Sequence, residues 1–286
     1  MSDSKQTVAS EPFVVRRPAS RDLAVDVFAA QGESTRTAVI LLHGGGWSRG
    51  HRSEMQGYAQ ELARAGFVAI AAEYRLLGEA LWPAQIRDVK DVIRWTRANA
   101  ASLGVDADKI VAQGFSAGGH LAMLAAGTPN TAVFGDSVQG GEGDDSLAAV
   151  VSFFAPVDLS PAAFPHRPPP LAALFGETGN DDLAETASPI RYVSPAFPPT
   201  FLLNGLTDAF MPVSQTLQMF DALAAAGVKT DLHVYHDHTH EFARLPSMLG
   251  PVQAEIALFL RRAVVDPARY ADENLTMNPF AKGIPG

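Results

Sequence analysis

Six short, mostly apolar runs, each followed or preceded by a stretch of helical periodicity, limit what this chain can fold into. Ala38 to Leu42 and Phe67 to Ala72 are apolar without a break, as strands covered on both faces must be. Lys109 to Gln113, Ala148 to Ala155, Thr200 to Leu203 and Asp231 to Tyr235 extend the series. Between them apolar side chains recur every three or four residues: Met55, Tyr58 and Leu62; Ile86, Val89 and Ile93; Leu217, Phe220 and Leu223; Val252, Ile256 and Phe259. Ser53 and Gln56 have capping-box spacing ahead of the first helix, and Pro83 suits the first turn of the second. Arg87, Lys90, Asp91 and Arg94 fall on the side of that helix expected to face water. Gly66, Gly104 and Gly227 stand where helices should stop. Two short strands, Phe13 to Arg16 and Leu23 to Phe28, precede the alternation. The pattern predicts an α/β fold, a mostly parallel central sheet with helices on both faces and right-handed crossovers.

Residues 12–262 are expected to form one domain, with a flexible polar N-terminus over 1–11 and a polar C-terminal tail over 263–286. Residues 160–198 break the rhythm with a dense set of prolines, including Pro168, Pro169 and Pro170, and a short helical possibility around Leu171 to Phe175. An insertion of that length in a compact domain reads as a cap or binding loop. Twenty-two basic residues against 31 acidic ones give a net charge of −9, which disfavours nucleic acid and anionic membranes as partners. The absence of cysteine excludes disulfides, thiolate metal sites and a cysteine nucleophile. No apolar run approaches the roughly 20 residues a membrane helix needs, and the N-terminus lacks the apolar core of a secretion signal. A cytoplasmic protein is the expectation, and a homodimer is compatible with it.

The chemistry concentrates in two glycine-rich turns and two later strand ends. Gly114-Phe115-Ser116-Ala117-Gly118 follows one predicted strand and opens an alanine-rich helix running to about Ala126. A serine there is pushed out of the chain with its hydroxyl exposed, and glycines on either side let strand and helix pass each other. That context marks Ser116 as a nucleophile. His43-Gly44-Gly45-Gly46-Trp47 follows the strand ending at Leu42, where successive glycines let backbone N–H groups face a cavity. It lacks the lysine and serine or threonine of a phosphate loop. A serine nucleophile needs a base and an orienting acid later in the chain. Asp208 follows the strand Thr200 to Leu203, and the histidines beyond it are His233, His236, His238 and His240. His233 reads as packed on a sheet face. His240, after a loop and before Glu241-Phe242, is best placed to reach over the sheet edge. The alternation His236, His238, His240 leaves a metal site as the competing reading of that run. His120, just past the serine, reads as a helix residue that supports packing.

With His43 to Trp47, Glu73-Tyr74-Arg75-Leu76, the serine turn running on to His120-Leu121-Ala122, Gly205 to Val213 and His240-Glu241-Phe242, the chain resembles the α/β-hydrolase superfamily. It is similar to carboxylesterases related to the hormone-sensitive-lipase group, and closer to the branch with feruloyl and acetylxylan esterase-like enzymes and kynurenine formamidases. The similarity runs over about residues 12–262. It implies a triad of Ser116, Asp208 and His240, and oxyanion donors from the backbone of Gly45, Gly46 and Ala117. It implies no metal and no cofactor.

Cleavage of small or aromatic carboxylic esters through an acyl-serine is the expected activity, with a small-molecule ester as the partner. Formamide hydrolysis, carbohydrate-linked acetyl or feruloyl esters and a non-catalytic binding module are the alternatives. Gly46 stands where formamidases often carry a larger residue, which favours the ester. Trp47, Phe115, Phe164, Leu171, Leu174 and Phe175 are the expected substrate-contacting residues, with Phe175 closing a pocket for short acyl chains.

Overall fold

The apolar runs become the inner strands of one sheet in a computed structural model, which describes residues 12–15, 20–134, 143–164, 166, 169–175 and 181–281. The expected flexible N-terminus, Arg16, Pro168 and the last five residues of the tail lie outside the described residues. In chain order the elements are β1 (Phe13–Val15), β2 (Leu23–Phe28), β3 (Ala38–Leu42), α1 (Gln56–Arg64), β4 (Val68–Ala72), α2 (Ala84–Ala98) and α3 (Ala100–Leu103). There follow β5 (Ile110–Phe115), α4 (Ala117–Gly127), β6 (Ala149–Phe153), α5 (Pro169–Leu174), α6 (Asp181–Thr186) and β7 (Thr200–Gly205). The chain closes with α7 (Val213–Ala225), β8 (Thr230–Tyr235), α8 (Pro246–Leu260) and α9 (Pro267–Met277).

The strands form an eight-stranded sheet in the order β1-β2-β4-β3-β5-β6-β7-β8. β1 pairs antiparallel with β2 and β2 with β4, and β3 through β8 all run parallel. Strand alternation explains the unbroken apolar runs. Ala38, Ile40 and Leu42 enter one core with the apolar faces of α2, α4 and α7, while Val39 and Leu41 enter a second with α1 and α8. The parallel register sets Leu42 beside Gly114 and Phe115 beside Phe153, which brings the C-terminal ends of β3, β5 and β6 level. Ligands gather outside such strand ends in open α/β sheets.

Four local expectations change. The first capping box sits two residues earlier. The His51 imidazole accepts from the Ser53 amide at 3.2 Å, and Glu54 accepts from the His51 amide at 3.0 Å. Lys90 and Asp91 do not face water, because residues 143–146 fold over α2. Lys90 Nζ lies 3.0 Å from the buried Asp145 carboxylate, which Arg94 also contacts. The tail is not featureless: Asp266 caps α9 by accepting from the Arg269 amide, and Pro267 starts the helix. His233 lies exposed on the edge strand β8, where its ring meets Glu255 at 2.8 Å. Among the described residues no helix is long and apolar enough to cross a membrane.

Candidate active site

β5 passes into α4 through Ser116, whose backbone sits at φ 52°, ψ −116°. That region is costly for any residue with a side chain, and here the surroundings enforce it. A Cβ on Gly114 would come within 2.1 Å of the Gly118 carbonyl oxygen, and one on Gly118 within 2.3 Å of the Leu42 carbonyl oxygen. Only bare backbone fits where β3, β5 and α4 cross. The Ser116 amide donates to the Phe153 carbonyl at 2.9 Å, and the Ser116 carbonyl accepts from the His120 amide at 2.9 Å. Ala117 is the first residue of α4, so helix geometry gives its N–H no acceptor within the helix.

β3 leads into the second turn. Tyr74 Oη donates to the His43 carbonyl at 2.8 Å, and its ring stacks on the His43 imidazole at 4.4 Å. His43 Nδ1 donates to the Gly44 carbonyl at 2.8 Å, and burial holds this imidazole below its ordinary pKa. Gly45 and Gly46 take φ of +112° and +58°, and Trp47 follows at 56°. The Gly45 carbonyl accepts the amides of Ser48 and Arg49, each at 3.2 Å, which closes the turn.

The ends of β7 and β8 supply the remaining groups. One carboxylate oxygen of Asp208 accepts the amides of Phe210 and Met211 at 2.9 and 2.8 Å. The other lies 2.7 Å from Nδ1 of His240. With that nitrogen donating, Nε2 is the acceptor, and it lies 3.1 Å from Ser116 Oγ. The Asp208 side chain is fully buried, whereas the His240 side chain keeps 17% of its exposure. The neighbouring histidines point elsewhere: His236 meets Asp237 at 3.0 Å, and His238 Nδ1 donates to the His236 carbonyl at 2.7 Å. Among the described residues no three histidine or carboxylate side chains converge as a metal site would require.

Ser116 opens on a small cavity of about 30 Å³. Gly46, Trp47, Ala117, Phe164 and Leu171 line it, together with Pro156, Pro170, Phe210 and Met211. Gly45 is not among them. Three expected contacts fail. Phe115 is stacked on Phe153 at 4.3 Å inside the second core, because the last residue of β5 points to the α1 face. Leu174 and Phe175 are turned into the first core, Phe175 against Trp82, so neither closes the cavity. Conversely, Phe210 and Phe154, which no sequence signal marks, hold their rings 4.9 and 4.5 Å from the His240 ring. Phe210 lies in a loop two residues past Asp208, and Phe154, inside the expected strand Ala148 to Ala155, falls just past the observed end of β6. A larger surface groove of about 710 Å³, between Lys229, Arg262 and α9, shares no lining residue with this cavity.

A mostly parallel sheet whose fifth strand delivers a serine on a left-handed turn, opposite an aspartate and a histidine from later strand ends, defines an α/β-hydrolase. The BD-FAE family profile matches residues 25–223, and the chain belongs to that family. It is 31% identical over 266 residues to Esterase LipC of Mycobacterium tuberculosis, covering 87% of this chain and 64% of that protein. Probable carboxylic ester hydrolase LipM of the same organism is 35% identical over 198 residues, covering 66% of this chain and 46% of that one. The chain thus spans between about half and two thirds of these relatives. Among solved structures, a thermophilic esterase of Thermogutta terrifontis, Est2, superposes with TM-score 0.73 at 26% identity, covering 89% and 92% of the two chains. A truncated carbohydrate esterase from gut microbiota gives TM-score 0.75 at 25% identity, covering 90% and 98%.

Proposed function

We propose that the chain is a carboxylesterase-type serine hydrolase that cleaves esters of small or aromatic substrates through an acyl-serine intermediate. The observation that carries this is the unbroken line from Ser116 Oγ through His240 to Asp208, at 3.1 and 2.7 Å, on a turn that backbone contacts hold open. Ser116 Oγ attacks the ester carbonyl carbon while His240 Nε2 takes its proton, and Asp208 holds the imidazole in the required tautomer. The carbonyl π electrons move to oxygen, which the amide of Ala117 and those of the Gly45–Gly46 turn stabilise. Collapse expels the alcohol with the proton from His240. Water, activated by the same imidazole, then releases the acid and restores the serine. Every step draws on groups of this chain and water.

The narrow cavity supports short acyl groups over long ones, since each methylene left outside forgoes about 0.8 kcal/mol of burial. The similarity to a carbohydrate esterase supports acetylated sugars as a second substrate class to test. The experiment is steady-state hydrolysis of p-nitrophenyl esters from acetate to laurate, beside N-formylkynurenine and an acetylated xylo-oligosaccharide, by the parent and Ser116→Ala. Hydrolysis that favours short esters and disappears in the variant is expected. A parent that prefers the formamide, or a variant that keeps more than a small fraction of turnover, would overturn the assignment.

A further inference from the structure

Trp47 stands in an improbable place. It is a bulky residue in the left-handed region, 4% exposed, and it lines the cavity beside Ser116. Side chains of that size are rarely found at positive φ, so neighbouring contacts must fix it. Its carbonyl accepts the Leu77 amide at 2.9 Å. Its indole Nε1–H donates to Nδ1 of His120 at 3.2 Å, with the two rings edge to face at 5.2 Å.

His120 has no exposure to solvent and uses both ring nitrogens. Nδ1 accepts from Trp47, and Nε2 donates to the carbonyl of Ala187 at 2.7 Å, just after α6 in the insertion. The ring therefore holds one tautomer. Burial pushes its pKa down to about 4 despite the Ala187 carbonyl, which keeps the acceptor nitrogen free of a proton at neutral pH. Trp82 packs on the same imidazole at 5.8 Å and is itself in contact with Phe134 and Phe175. One side chain on α4 thus ties the turn after β3 to the far end of the cap insertion.

Proton traffic assigns the two sides of the cavity. The departing alcohol oxygen receives its proton from His240, so the alcohol lies on the side of Phe210, which is half-exposed and next to that imidazole. The acyl group stays bound to Ser116 and takes the other wall, made by Trp47 and the buried Leu171. We propose that His120 is a positioning residue that sets the acyl-length limit, by holding the Trp47 indole as the closed end of the acyl side. This rests on the esterase reading. Phe175, expected from the sequence to close the pocket, instead backs the cluster behind His120.

The test is kcat and KM on p-nitrophenyl butyrate and octanoate for the parent, His120→Asn, His120→Phe and His120→Gln. Loss of the tie should raise the octanoate-to-butyrate ratio of kcat/KM about tenfold in the asparagine and phenylalanine variants, through the octanoate KM. Glutamine offers an acceptor and a donor at similar reach and should return the ratio toward the parent's. If the phenylalanine variant fails to fold, the asparagine variant carries the comparison. In a Trp47→Phe background the asparagine change should move the ratio no further, because the bond it breaks is already gone. Equal losses on both esters, or an unmoved ratio in a folded variant of an active parent, would overturn this inference alone. A parent inert to every ester and to fluorophosphonate would overturn the esterase reading, and this one with it.

Discussion

On one side of the cavity, Ser116 and the Gly44–Gly46 turn are held by backbone. Gly114 and Gly118 leave no room for even a Cβ, and Tyr74 ties the His43 carbonyl from beneath. On the other side, Phe164, Pro170, Leu171 and Phe210 present side chains from irregular segments and the six-residue helix α5. In the proposed reaction the first arrangement fixes where charge develops, and such preorganisation tolerates little displacement. The second only shapes the space around the substrate, and its parts can change without moving the nucleophile. Chemistry and most of the selectivity are therefore built from different materials, with Trp47 standing where the two meet.

The contrast should break most sharply at the histidines. His240→Ala is expected to lower kcat on the order of 10⁴- to 10⁶-fold, whereas His236→Ala and His238→Ala should stay close to the parent. Equal losses at all three, with inhibition by a chelator, would return the run to a metal site. Gly118→Ala comes next: its methyl would meet the Leu42 and His43 carbonyls at 2.3 and 2.5 Å, and those atoms belong to a central strand and its turn. Urea unfolding should show a loss of about 3 kcal/mol or more, with activity falling alongside. A stable and active alanine variant would mean that the crossing is looser than described.

Acid should weaken the first side before the second. His43 and His120 are both held below the ordinary histidine pKa by burial, His120 at about 4. Between about pH 6.5 and pH 4 the unfolded chain binds a proton at His120 that the folded chain refuses, and His43 acts in the same direction, so stability falls as pH drops. The slope from His120 should approach about 1.4 kcal/mol per pH unit, and His120→Gln should remove it. A pH-independent unfolding midpoint over that range would contradict the burial of these rings. The smallest effect belongs to the second side. Phe210→Ala, at a half-exposed position, should leave stability within about 1 kcal/mol while changing the preference among alcohol leaving groups. Unfolding curves and a series of acetate esters with different alcohols would measure both.

The same division decides what the amino-acid order made legible. Ser116, Asp208 and His240 could be placed because glycine spacing and strand ends are local signals. Phe115 was misplaced because its side depends on strand phase: one residue along β5 separates the cavity from the α1 core. Leu174 and Phe175, expected at the pocket, turn into the core instead, and a six-residue helix ending at Leu174 carries too few turns to reveal its buried face. Phe210 and Met211 lie in a loop, where no period reports direction, and Phe154 falls just past β6, inside an apolar run that gives no sign of where the strand stops. α9 has no buried residue, so no apolar stripe announced it, and its cap at Asp266 was the available sign. Lys90 shows the converse: a charged residue at helical spacing suggests a wet face until Asp145, 55 residues on, arrives to bury it.

The most direct measurement is peptide mass spectrometry of the parent protein after treatment with a fluorophosphonate. One covalent phosphonyl adduct is expected, on Ser116, formed in step with loss of ester hydrolysis and blocked by His240→Ala. An adduct on another residue, or full loss of hydrolysis with Ser116 unmodified, would contradict it.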